Sequence, residues 1–150
     1  MYYRPEHVLH SALLALVVLV AAGCGPSIGD PVRLKAGAAP QDALFYAGSG
    51  WTGGCGEAVL GPDNQIVRLD RTPVFLDEAS HQRIMQAAGN PQCFNSGDRI
   101  LVSARVTLTA DHCTRPLPSP EGGIEEDRVD FLRLDLVELH NVVTRLTPCD

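Results

Sequence analysis

Residues 99–109 alternate without a break: Ile100, Val102, Ala104, Val106 and Leu108 take one set of positions, with Leu101, Ser103, Arg105, Thr107 and Thr109 between them. A period of two sends successive side chains to opposite faces of a strand, so this segment has one apolar and one largely polar face and belongs in a sheet. A second segment, residues 129–146, is read less directly. Leu132, Leu134 and Leu136 alternate with Arg133 and Asp135, yet Leu132, Leu136, Leu139, Val143 and Leu146 also fit helical spacing. The β-branched run Val142, Val143, Thr144 favours a long strand with a bulge near Val137. A C-terminal helix is the alternative. A chain of 150 residues has room for one folded domain.

The remaining elements follow from turn and cap chemistry. An apolar run at residues 43–47 enters the glycine-rich stretch Gly48-Ser49-Gly50-Trp51-Thr52-Gly53-Gly54-Cys55-Gly56. Residues 57–60 and 65–69 flank Gly61-Pro62-Asp63-Asn64, a turn signal that predicts a hairpin. Residues 73–76 lead into Asp77, a good N-cap, and residues 78–88 predict a helix that buries Ile84, Ala87 and Ala88 and stops at Gly89-Asn90-Pro91. Residues 114–127 contain Pro116, Pro118, Pro120, Gly122 and Gly123, then Glu125-Glu126-Asp127, and read as a long exposed acidic loop. The predicted order is strand, strand, strand, helix, strand, strand. It is similar to that of OB-fold domains, five-stranded barrels with a helix between the third and fourth strands. The fold class expected is therefore mainly β (α+β), a small five-stranded OB-like barrel or sandwich with one short helix and two disulfides.

The start of the chain reads as an address. Residues 8–22 are almost continuously apolar, interrupted by His10 and Ser11, which is too short for an ordinary membrane-spanning helix and suits a signal-peptide core. Val20-Ala21-Ala22-Gly23-Cys24 then resembles the lipobox of bacterial lipoprotein precursors, with Ala21 where leucine is usual. The resemblance implies cleavage after residue 23, lipidation of Cys24 and stable anchoring, because the acyl chains together supply more than one membrane signal. Gly25 stands where an aspartate often retains lipoproteins in the inner membrane, so the implied destination is the outer membrane, facing the periplasm or the cell surface. Residues 1–23 are then signal peptide, 24–40 the lipidated cysteine and a flexible Gly-, Ala- and Pro-rich tether reaching on the order of 20 Å, and 41–150 the globular domain. Val32 and Leu34 offer a short edge strand as the alternative to a free tether.

Assigning Cys24 to lipid leaves Cys55, Cys93, Cys113 and Cys149, an even set that suits two disulfides in an oxidising compartment. Four cysteines permit three connectivities. Antiparallel pairing of the two long strands would bring the start of the first beside the end of the second, which favours Cys93 with Cys149 and Cys55 with Cys113.

The net charge of -6 argues against nucleic acid as partner, since phosphate binding needs a clustered basic surface. Neither G-x-S-x-G nor G-x-x-x-x-G-K-[ST] occurs around Ser49. Asp111-His112-Cys113 with His81, His140 and Cys149 contains metal-capable side chains, but no short fixed ligand spacing, so neither a metal nor another cofactor is expected. Without a convergent nucleophile, base and acid, the chain reads as no enzyme. It reads as a lipid-anchored envelope protein, a binding or scaffolding module with a possible envelope protein partner. The alternative is a small periplasmic hydrolase or metal-handling lipoprotein drawing on Ser49, His81, Asp111, His112 and His140.

Overall fold

The computed structural model describes residues 24–52 and 55–150, with the backbone alone described at residues 49–52. The signal-peptide reading of residues 1–23 and the side chain of Ser49 therefore lie outside the described residues. Strands make up 52% of the described residues and helix 8%, which makes the fold mainly β. In chain order the elements are β1 (Gln41–Thr52), β2 (Glu57–Leu60), β3 (Arg68–Leu69), β4 (Thr72–Leu76), α1 (Glu78–Ala87), β5 (Arg99–Pro118) and β6 (Ile124–Arg145).

Five of the strands close a ring. β1 pairs antiparallel with β2 and β5, β5 with β6, and β2 with β4, while β4 and β6 run parallel. The helix lies between the third and fourth ring strands, as the OB-like order requires. Alternation along the strands divides their apolar residues between two clusters. The larger holds Phe45, Val102, Val106 and Leu134 and receives Ile84 from α1; the smaller holds Tyr46, Leu101, Phe75 and Phe131. Phe75 and Phe131 meet edge-on, ring centroids 5.3 Å apart. Both clusters lie within residues 24–150, as do the two bridges Cys55–Cys113 and Cys93–Cys149, with Cα atoms 5.7 and 5.8 Å apart.

Residues 129–145 belong to a strand, not a helix, and a bulge falls at Val137, where it was expected. Arg105 pairs with Glu138 and Val106 with Leu136, leaving Val137 unpaired; a second bulge omits His140 between Leu139 and Asn141. The helix is capped as its sequence predicts. The Asp77 carboxylate accepts from the Ser80 N–H at 3.2 Å, and Gly89 (φ 87°) ends the helix with the Gly89-to-Gln86 and Asn90-to-Met85 bonds of a Schellman motif. Its buried stripe differs from expectation. Ile84 is buried but Ala87 is exposed, and Ser80 takes the second buried place because its hydroxyl accepts from Leu136 N–H at 2.8 Å.

Three further expectations are corrected. Residues 114–127 are not a loop: β5 and β6 continue past the ring as a two-stranded ribbon, paired from Thr114 with Arg128 to Pro118 with Ile124. Pro116 and Pro118 are two positions apart, so both missing N–H groups fall on the ribbon's open edge, since β1 covers β5 only as far as Val106. The predicted hairpin after β2 shrinks to the Leu60–Ile66 bridge; β3 instead pairs with β4 across Asp70 (φ 49°) and Arg71 (φ 69°). Positive φ at both central residues is the geometry of a two-residue hairpin turn, reached here without glycine. The segment read as tether is also partly bound: Arg33 pairs with Leu44, and Val32 and Leu34 pack on the core. The Tyr46 hydroxyl accepts from Gly29 N–H at 2.8 Å and donates to the Asp30 carbonyl at 3.1 Å, so free chain ends before Ser27.

Candidate functional site

A cleft of about 490 Å³ opens between the start of β2, the first turn of α1 and the middle of the paired strands β5 and β6. Its polar wall carries Glu57, Glu78, His81, Asp111 and Arg133, and Phe131 supplies apolar surface.

The contribution of these paired strands follows from register. Asp111 faces Phe131 and Thr109 faces Arg133 across the strands, so Asp111 and Arg133 are diagonal neighbours within reach of a long side chain. Arg133 Nη1 donates to Asp111 Oδ2 at 2.8 Å, and its Nε donates to both Asp135 oxygens at 3.2 Å. The His112 backbone N–H donates to Asp111 Oδ1 at 2.8 Å. That N–H, followed by the Arg133 guanidinium, holds the Asp111 carboxyl below the usual carboxylate range, against the opposing effect of desolvation. The Arg133 guanidinium is in turn held more firmly charged, mainly by Asp135 and then by Asp111.

The helix contributes His81, placed by the first helical bond from its N–H to the Asp77 carbonyl at 2.9 Å. His81 Nε2 lies 3.3 Å from the Gly48 carbonyl oxygen, which can only accept, so this contact assigns the proton to Nε2. Glu57 enters from β2, directly after Gly56, whose φ of 141° brings the chain so close to the Leu76 carbonyl that a Cβ would stand 3.2 Å from it. Glu57 Oε2 is buried and has no hydrogen-bond partner among the described residues. A buried acceptor left unpaired costs about 1 to 3 kcal/mol, which a ligand bearing N–H or O–H donors would recover.

Of the residues singled out by sequence, His81 and Asp111 share this cleft, and Cys55 of the first bridge lies on its wall. The others are dispersed. His112 follows Asp111 on the strand and so faces the other side of the paired strands, exposed. His140 sits at the second bulge, Nε2 3.6 Å from Asp42 Oδ1 and Nδ1 3.8 Å from Glu138 Oε1. Cys24 is free and exposed. Among the described residues no group of three His, Cys, Asp or Glu side chains is placed to hold a metal ion, and no helix is long and apolar enough to cross a membrane. Glu57 and Arg133 escaped sequence reading because no motif links positions that far apart; only the ring's pairing brings them to one recess.

Fold and cleft together define a small, disulfide-bridged, mainly β domain with a recess lined by fixed charges. Comparison of the chain with models of known protein families, with curated proteins and with solved structures finds no match.

Proposed function

We propose that this chain is an exported lipoprotein, anchored through Cys24, whose domain serves the cell envelope as a binding or scaffolding module. The observation that carries the reading is the division of its cysteines. Four are tied in two bridges, and the fifth, directly after Val20-Ala21-Ala22-Gly23, is free and exposed. Two bridges suit an oxidising compartment, and a lone thiol after small residues suits lipidation. Gly25 directs the anchored protein to the outer membrane.

The cleft is the recognition site of this module. Among the described residues Arg133 commits its Nη1 and Nε donors to Asp111 and Asp135, and Glu57 Oε2 has no donor. Rigid, oppositely charged groups on a recess with one aromatic wall suit binding a polar envelope ligand or protein segment. Metabolic labelling with palmitate, comparing the full chain with Cys24→Ala, tests the anchoring. Label in the membrane fraction of the parent and none in the variant is the expected result; equal labelling overturns it. In vivo crosslinking from the cleft wall then identifies what the module holds, and loss of the crosslinked product with Arg133→Ala is expected.

A further inference from the structure

Arg99 and Arg145 face each other directly across β5 and β6 at the end of the sheet away from the ribbon. Like charges in opposite register destabilise a strand pair unless something neutralises them. Neither arginine makes an ion pair among the described residues. Arg99 Nη1 donates to the Asp98 backbone carbonyl at 2.7 Å, and Arg145 makes no side-chain hydrogen bond among the described residues. The neighbouring Asp98 carboxylate attracts Arg99 through space, but it is 2% exposed and its hydrogen bonds go to Asn95 and Thr147. Both arginines line a recess of about 220 Å³ whose other walls include Ile28, Gly29 and Tyr46. No acidic residue stands among those walls.

The position of this recess along the chain gives its occupant. Ile28 is four residues beyond Cys24, a span of at most about 14 Å of fully extended chain. The Tyr46 hydroxyl pins Gly29 and Asp30, so the arginine pair cannot drift away from that short leash. A lipid on Cys24 therefore keeps this end of the sheet beside the headgroups. The net charge of -6 does not forbid the contact, since charges more than about 10 Å away are largely screened at ordinary ionic strength.

We propose that Arg99 and Arg145 form a headgroup site, in which the two guanidiniums share the phosphate of an anionic phospholipid in the membrane that holds Cys24. Guanidinium matches phosphate with paired donors, and a bridging anion removes the repulsion between the two arginines. The inference rests on the anchored reading for the nearness of the membrane, but its test does not use the lipid.

The experiment measures co-sedimentation of residues 24–150 carrying Cys24→Ser with vesicles of phosphatidylcholine, with and without phosphatidylglycerol. Preferential binding to the anionic vesicles, weakening with added salt, is expected. Each of Arg99→Gln and Arg145→Gln should lower the partition about five-fold, and the pair roughly 25-fold. Arg99→Lys with Arg145→Lys keeps the charge but not the paired donors and should bind between the parent and the double Gln variant, while Arg105→Gln, remote from the recess, should change nothing. Thermal melting of the double Gln variant at or above the parent temperature shows that lost binding is not lost folding. Equal partition of parent and double Gln variant overturns the proposal. So does a recess that takes inorganic phosphate, seen as amide shifts at Gly97 and Arg145, while vesicle binding ignores both arginines. Failure of the anchoring reading shows separately, as absence of lipid mass on Cys24 in the full chain.

Discussion

Asp98 Oδ1 accepts twice from one residue, the Thr147 backbone N–H at 2.8 Å and the Thr147 hydroxyl at 2.9 Å. Its other oxygen accepts from Asn95 N–H at 2.8 Å. One carboxylate thereby joins the loop after α1, the start of β5 and the chain beyond β6, next to the Cys93–Cys149 bridge.

The Asn95 N–H is the main cause that lowers the Asp98 pKa from 3.8, with Thr147 and Arg99 adding to it against desolvation. A carboxyl with a lowered folded-state pKa contributes stability that is fully present above its unfolded value and is lost as pH falls through the folded one. Asp98→Asn should therefore melt several degrees below the parent at neutral pH. The gap should close progressively below pH 3.8, where the parent loses its advantage. Melting curves at a series of pH values check this; a gap constant down to strong acid would refute it.

Removing either bridge should cost about 2 to 4 kcal/mol, and the two losses should be nearly equal, because their sequence separations of 58 and 56 close loops of almost the same entropy. Urea unfolding of Cys55→Ala with Cys113→Ala, and of Cys93→Ala with Cys149→Ala, measures each. The mismatched variant Cys55→Ala with Cys93→Ala breaks both bridges and should lose roughly their sum. If it matched either single-bridge variant, the connectivity would be different.

How much of this was legible in the sequence depended on whether a residue's role was local. Alternation at residues 99–109, the Asp77 cap and the Gly89 stop act within a few positions and read correctly. The bulges show why residues 129–146 looked partly helical. Leu136, Leu139 and Val142 all reach the larger cluster, and their spacing of three arises because Val137 and His140 are each extra to the ladder. The ribbon was misread because prolines were counted as breakers without their phase; two apart, they leave the paired edge intact. Asp111 and His81 were visible as titratable residues, but Glu57 and Arg133 gain meaning only when ring closure brings β2 beside β4 and β4 beside β6. The Asp70-Arg71 turn carried no glycine signal at all.

Within the cleft, Arg133→Ala should raise the titration midpoint of Asp111 toward 3.8 without reaching it, since the guanidinium is removed while the His112 N–H, the larger cause, stays. Carbon-detected NMR titration of the Asp111 carboxyl reads this directly. A midpoint unchanged from the parent would mean that the 2.8 Å pairing does not persist in solution. The same variant should leave the domain folded, because all three partners of this cluster are about one-third exposed and exposed pairs contribute little to stability.

The turn between β3 and β4 offers a gain in stability. Arg71 holds φ at 69° and Asp70 at 49°, a region that costs a residue with a Cβ on the order of 1 kcal/mol and that aspartate tolerates better than arginine. Arg71→Gly removes this strain, although glycine also enlarges the entropy of the unfolded chain by a somewhat smaller amount. The net expectation is a rise in Tm of a few degrees, with Asp70→Asn together with Arg71→Gly rising at least as far because Asn-Gly is the favoured pair for this turn. Arg68 Nη1 donates to the Arg71 carbonyl at 3.4 Å, a backbone contact that glycine preserves, so no compensating loss arises from that side. A lower Tm for Arg71→Gly would show that the arginine side chain contributes more than its backbone strain removes.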